Sequence, residues 1–233
     1  MKNYQAILYE LSDMLWSADN IKKSHACDES LSLIQKIDDE TIKNEIRKMI
    51  VYNLIDLSRS TEARDCIDGL LQSDDYFFKY FGHLARIAYC KHCDTDHVEQ
   101  AIKSAKHIAK QNNHKADYAI ACIELAKYYY KTLKYDACIE ELGDVIVVSE
   151  ELKNTRFLMS AKYYTALALS KKGQILMALE MLRDVSNMAY DSRSQYAAMF
   201  SEIKRASLLK MVDRTEETLT IIDQWCDNFE TEL

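Results

Sequence analysis

A chain of 233 residues of which 48% are hydrophobic can bury a sizeable core, and with no proline and only four glycines it lacks the residues that tight turns and edge strands demand. Thirty Lys and Arg against 37 Asp and Glu leave a formal charge of −7, which repels phosphate backbones. There is no run of five basic residues, no glycine-rich phosphate loop and no apolar stretch near the roughly 18 residues that a membrane-spanning helix needs, so neither nucleic acid nor membrane is expected as a partner.

In chain order, the opening Met1-Lys2-Asn3-Tyr4-Gln5 reaches polar and acidic residues too soon for a secretory signal. Seven cysteines, an odd number spread along helical segments, suit a reducing compartment, and a cytoplasmic address is the expectation. A pattern then recurs: a small residue followed at once by Ile or Leu, with an apolar residue four positions on and usually another three further. It occurs at Ser30-Leu31 with Ile34 and Ile37, Cys66-Ile67 with Leu70, and Ala101-Ile102 with Ala105 and Ile108. It returns at Cys138-Ile139 with Leu142 and Val145, Ala178-Leu179 with Leu182 and Val185, and Thr218-Leu219 with Ile222 and Trp225. The first residues stand 36, 35, 37, 40 and 40 apart, a period that predicts stacked helical units with each anchor in the second helix of a pair.

Between the anchors lie three local features. The pairs Asp38-Asp39, Asp74-Asp75 and Glu216-Glu217 fall where helices begin, where a carboxylate complements the positive helix end. The run "DDYFFKYF", with Phe77, Phe78 and Phe81, reads either as core packing or as a docking patch. The run "CKHCDTDH" at 90–97 offers Cys90, Cys93 and His97 as three zinc ligands, with His92 or Asp96 as a strained fourth. A structural zinc site draws on two separated ligand pairs, so the stretch is read as an extended turn after a helix ending near Tyr89, and no metal or other cofactor is assigned. No Gly-x-Ser-x-Gly elbow or His-Glu-x-x-His pair occurs; no catalytic residue is assigned, and an enzyme is not expected.

In "YAIACIELAKYYYKTLKYDACIEEL" a first helix presents Leu125, Ala126 and Tyr129, and after a short turn Cys138 and Leu142 open the facing stripe. Leu-Ala-x-x-Tyr, a small residue nine positions on and a large apolar residue four further resembles the tetratricopeptide repeat. The next unit places Ala166, Leu169, Ala178 and Leu182 correspondingly with Gly173 in the turn, and the last places Ala206, Leu209, Thr218 and Ile222. The resemblance covers most of the chain in about six degenerate units. The closing proline and first-helix aromatic are absent, and the last periods exceed the usual 34, which longer helices or longer linkers would explain. The resemblance implies an all-α fold, a right-handed superhelix of stacked antiparallel helix pairs forming one domain over 1–233.

In such a stack the first helices line a concave surface. Its groove positions map to Lys48, Val51, Ile55, Arg59, Lys79, Arg86 and Tyr89 in the earlier units. In the later units they map to Ile123, Lys127, Tyr130, Lys131, Tyr163, Leu167, Lys171, Ile203, Ser207 and Lys210. Lys and Arg interleaved with Tyr suit an extended or helical protein segment that carries carboxylates. No asparagine falls at these positions, Asn53 mapping to packing instead, so a clamp for a terminal carboxylate is not expected. The implied function is a non-catalytic adaptor, scaffold or chaperone holding an acidic partner segment, or else a peptide-responsive regulatory sensor acting through a separate protein. At the end of the chain Ile222, Trp225 and Phe229 either fold against the preceding unit or form a homodimer contact.

Overall fold

A computed structural model describes residues 4–230, with side chains described at residue 9 and over 11–223. Among the described residues every regular element is helical, and the helices fall into two compact units, Met1–Asn113 and His114–Leu233.

The first unit comprises α1 (Tyr4–Leu15), α2 (Asn20–Ile34), α3 (Glu40–Asp56), α4 (Ser60–Leu71), α5 (Tyr76–Cys93) and α6 (Val98–Gln111). Aspartates start three of them. The Asp39 carboxylate accepts from the Thr41 and Ile42 amides at 2.9 and 3.2 Å, Asp75 accepts from Phe77 at 2.7 Å, and Asp19 accepts from Ile21 at 2.8 Å. Each satisfies amides that the first turn leaves without a partner, so these acidic residues are helix caps. The core joins Ile46, Ile50, Val51 and Leu54 of α3 to Ala63, Cys66, Ile67 and Leu70 of α4, and each such aliphatic side chain contributes about 1.5–3 kcal/mol by leaving water. Gly82 lets α5 approach α4, since a Cβ there would meet Leu70 Cβ at 3.0 Å.

The second unit is more regular: α7 (Lys115–Lys131), α8 (Tyr135–Leu152), α9 (Thr155–Lys171), α10 (Ile175–Asp191), α11 (Gln195–Met211) and α12 (Thr215–Glu230). Its helices are 16 to 18 residues long with two- or three-residue connections, so the long period comes from longer helices. Each connection holds one left-handed residue: Leu133, Lys153, Gly173, Arg193 and Asp213, twenty residues apart. The residue after each donates its amide back into the helix, as Lys134 to the Tyr129 carbonyl at 2.8 Å, Gln174 to Leu169 at 3.0 Å and Arg214 to Leu209 at 3.0 Å. This Schellman geometry favours glycine, yet only Gly173 is one.

Short connections make consecutive helices antiparallel. Within each unit the odd-numbered helices also touch one another, α1 with α3, α3 with α5, α7 with α9 and α9 with α11. Even-numbered helices of a unit make no such contact with each other among the described residues. Odd helices therefore form the inner layer of each unit. The anchor residues sit in even helices as the period predicts, with Cys138, Leu142, Ala178 and Leu182 fully buried. Ala126 and Ala166 on the facing first helices are equally closed to solvent, the close approach that small residues permit.

Two expectations change. The helix expected to end near Tyr89 continues to Cys93, and Thr95–His97 form a 3-10 turn leading into α6. The reason is packing: Cys90 is buried in the last full turn of α5, and helical continuation keeps it there. At the other end Ile222 is 47% exposed, whereas the corresponding Leu142 and Leu182 are fully buried. Leu182 is covered by Leu208 and Leu209 of the following helix, and among the described side chains of α12 it is Ile221, one position before Ile222, that is buried. The side chains of Trp225 and Phe229 lie outside the described residues.

Candidate functional site

Each unit has a groove on the face of its odd helices. In the first unit it measures about 600 Å³ and is lined by Trp16, Lys48, Tyr52, Asn53, Phe77 and Phe81 among others. The aromatic run is divided by function: Phe78 is buried, whereas Phe77 is exposed and Phe81 is half-buried beside it, edge-on to Tyr52 at 5.6 Å. Asn53, assigned to packing in the sequence, lines this groove. Lys48 lies 4.8 Å from the centre of the Phe77 ring and pairs with Glu45 at 2.6 Å, so its charge is already engaged.

The second unit's groove, about 620 Å³, lies between α9 and α11 and is lined by Arg156, Met159, Tyr163, Tyr164, Tyr196 and Phe200 among others. On α11, Tyr196, Phe200 and Ile203 follow at helical spacing and are 78%, 54% and 55% exposed. On α9, Arg156, Ser160, Tyr163, Tyr164, Leu167 and Lys171 share one stripe. Lys127 of α7 reaches across to the Tyr164 ring, 5.6 Å from its centre, and pairs with Glu124 at 2.8 Å. Burial raises the pKa of the Tyr163 phenol, with Tyr164 and Tyr130 adding to it, and burial likewise raises that of Tyr130. Both phenols stay neutral at physiological pH and present polarised faces and hydroxyl donors.

The residues expected in a groove divide three ways. Val51, Ile55, Tyr89, Ile123 and Leu167 are buried, and the Tyr89 hydroxyl accepts from Arg64 at 3.0 Å. Arg59 and Arg86 join helices: Arg59 reaches Asp28 at 2.7 Å and Glu62 at 2.5 Å, and Arg86 reaches Asp68 at 2.6 Å. Lys131, Lys171 and Lys210 are exposed at the C-terminal ends of α7, α9 and α11, with no ion pair among the described residues. Tyr130 and Tyr163 are half-buried in the same unit as these lysines. Sequence mapping missed Arg156, Tyr164, Tyr196 and Phe200. The signal for the last two was present, as large apolar residues four apart on a first helix beyond those its core requires.

Reactive chemistry is sparse. Burial pushes the Cys27 thiol up to about 11 and Cys66 up to about 12, which suppresses the nucleophilic thiolate. At 90–97, Cys90 points into the core, Cys93 is exposed, and His97 Nδ1 meets the Asp94 carboxylate at 2.7 Å. Among the described residues no group of three His, Cys, Asp or Glu side chains is arranged to hold a metal ion. Nor is any described helix long and apolar enough to cross a membrane.

No protein-family model matches the sequence, and no curated protein matches it. Solved structures do match the fold. The apo form of RapI aligns over 98% of this chain and 88% of its own, at 13% identity and a TM-score of 0.75. A signal transduction ATPase with numerous domains from Pyrococcus horikoshii, which carries a tetratricopeptide repeat sensor, aligns over 89% of this chain at 10% identity and a TM-score of 0.72. This chain spans only 34% of that protein. A kinesin light chain protein of nearly identical tetratricopeptide-like repeats from Podosopora anserina aligns over 81% of this chain and 95% of its own, at 12% identity and a TM-score of 0.63. The fold is a tetratricopeptide-like helical repeat.

Proposed function

We propose that the chain is a non-catalytic module that binds protein segments on the inner faces of its odd-numbered helices, as an adaptor or scaffold, and that its second unit prefers an acidic segment. The observation that carries this reading is the open aromatic groove between α9 and α11. Tyr196, Phe200 and Ile203 leave large apolar surface in water beside Tyr163 and Tyr164, where a helix with no partner would carry polar side chains. Arg156 and the lysines at the helix ends supply positive charge on a chain of net charge −7, which favours carboxylates over other groups.

The test is affinity capture from the native cell extract, with cross-linking, using the wild type and a Tyr164→Ala, Phe200→Ala variant. A partner recovered by the wild type, cross-linked to α9 or α11 and lost from the variant is the expected result. Equal recovery by both proteins refutes the groove. A Lys127→Glu, Lys131→Glu, Lys171→Glu variant examines the acidic preference in the same way.

A second reading is a peptide-responsive sensor that acts through a separate protein, favoured by the likeness to the repeat sensor of the Pyrococcus protein. A sensor requires different ligand affinity in two conformations. Hydrogen exchange that changes far from α9 and α11 when the captured segment binds would support it, and protection confined to the groove would leave a simple scaffold.

A further inference from the structure

We infer that the segment held by the second unit is bipartite, with a large apolar or aromatic anchor seated between α9 and α11 and a cluster of carboxylates about 10–15 Å away, on Lys131, Lys171 and Lys210. This rests on the reading of the inner face as the binding surface and adds the order of the partner's chemistry.

The direction of the helices carries the argument. The helices α7, α9 and α11 are each separated by one antiparallel partner, so they run the same way and their C-terminal ends lie along one edge. Lys131, Lys171 and Lys210 occupy that edge. The aromatic groove lies towards the other end, since its lining starts at Thr155 and Arg156 in the first turn of α9 and at Tyr196 in that of α11. The inner face is thus graded from rings to charges. Seven residues separate Tyr164 from Lys171 and ten separate Phe200 from Lys210; at 1.5 Å of rise per residue these are about 10 and 15 Å. An extended occupant covers that distance in about three to five residues, and a helical one in about seven to ten.

Charge complementarity selects the occupant's far end. The three lysines are exposed and have no ion pair among the described residues, in contrast to Lys127, which Glu124 already engages. The competing account gives these lysines only a local role, since a cation at a helix C-terminus complements the helix dipole. The two accounts differ in one measurable respect. A dipole role affects helix stability alone, whereas a ligand role makes affinity depend on the sign of the partner's charge.

Fluorescein-labelled synthetic peptides supply the probes. One carries a Trp-Leu anchor and three glutamates four residues away, a second has the glutamates eight residues away, a third replaces them with glutamines, and a fourth replaces them with lysines. Anisotropy titrations use the full chain, with circular dichroism verifying the fold of each variant. At least one glutamate peptide is expected to bind tenfold or more tighter than the glutamine peptide, with a gain that shrinks as salt rises. The Lys131→Glu, Lys171→Glu, Lys210→Glu variant is expected to lose that gain and to prefer the lysine peptide, and the corresponding Lys→Gln variant to lose it without reversal. Equal affinity for the glutamate and glutamine peptides overturns the bipartite code while leaving the apolar groove in place. Absence of binding by every peptide also overturns it, and capture with the Tyr164→Ala, Phe200→Ala variant decides the broader reading separately.

Discussion

The grooves of the two units have nearly the same volume, about 600 and 620 Å³, and both set cations beside aromatic rings, but they use the cations differently. In the first unit Lys48 lies over Phe77 and is paired with Glu45, so charge and ring satisfy each other locally. In the second unit Lys127 repeats that arrangement with Tyr164 and Glu124, but Lys131, Lys171 and Lys210 stand apart at the helix ends. The composition of a face therefore overstates what it offers a partner. A charge counts towards recognition only after its own neighbours have been subtracted.

The first unit starts three helices on aspartate caps and holds left-handed residues at Ser58 and Asn113, whereas in the second unit every connection turns on one, and substitutions can measure what each device contributes. The largest expected effect lies where the units agree. Leu70→Ala and Leu182→Ala remove fully buried side chains at the same repeat position and should each cost about 2–5 kcal/mol in denaturant unfolding. Ile222→Ala, at the corresponding but exposed position of α12, should cost less than about 1 kcal/mol. A cost equal to that of Leu182 would show that another surface covers it.

Acid should separate the units next. Burial, with Arg86 and Lys79 adding to it, lowers the pKa of His83 in α5 from 6.5 to about 4, and its buried Nδ1 has no hydrogen-bond partner among the described residues. Between pH 6.5 and about 4 the unfolded chain binds the extra proton, so the contribution is complete above pH 6.5 and is lost as pH falls through this window. Discounted for solvent screening, the loss is about 1–2 kcal/mol. Hydrogen exchange should show α5 losing protection before α9 as pH drops from 6.5 to 4.5, and His83→Gln should remove the difference.

Smaller effects address the closures themselves. Asp39→Ala should cost about 1 kcal/mol by removing a cap that serves two amides. Leu133→Gly should gain about 1 kcal/mol, because Leu133 holds φ at 63° and is 71% exposed, so relief of backbone strain outweighs lost packing. Gly173→Ala should lose a similar amount at φ 79°. Thermal unfolding measures all three, and a destabilised Leu133→Gly would mean that the side chain makes a contact worth more than the strain.

The repeat pairs were legible because a core position at a helix crossing tolerates few side chains. Cys138, Ala178, Leu142 and Leu182 carry that constraint, and all four are buried. The end of α5 was less legible because Cys90 and Cys93 have the same residue type in opposite environments, one buried and one exposed. For the inner face, sequence mapping placed the lysines but could not register which acidic neighbours engage Arg59, Arg86 and Lys127. It also passed over Tyr196 and Phe200, because exposed aromatics and core aromatics look alike until the following helix is placed.

The left-handed residues of the second unit stand at 133, 153, 173, 193 and 213, and so divide its chain like marks on a ruler. Any stretch between alternate marks, such as 134–173, contains one outward and one return helix and ends where it began in phase. Copying or deleting such a stretch leaves the turns and core positions on either side in register. A step of forty residues, one helix out and one back, is therefore the natural unit by which the binding face can grow.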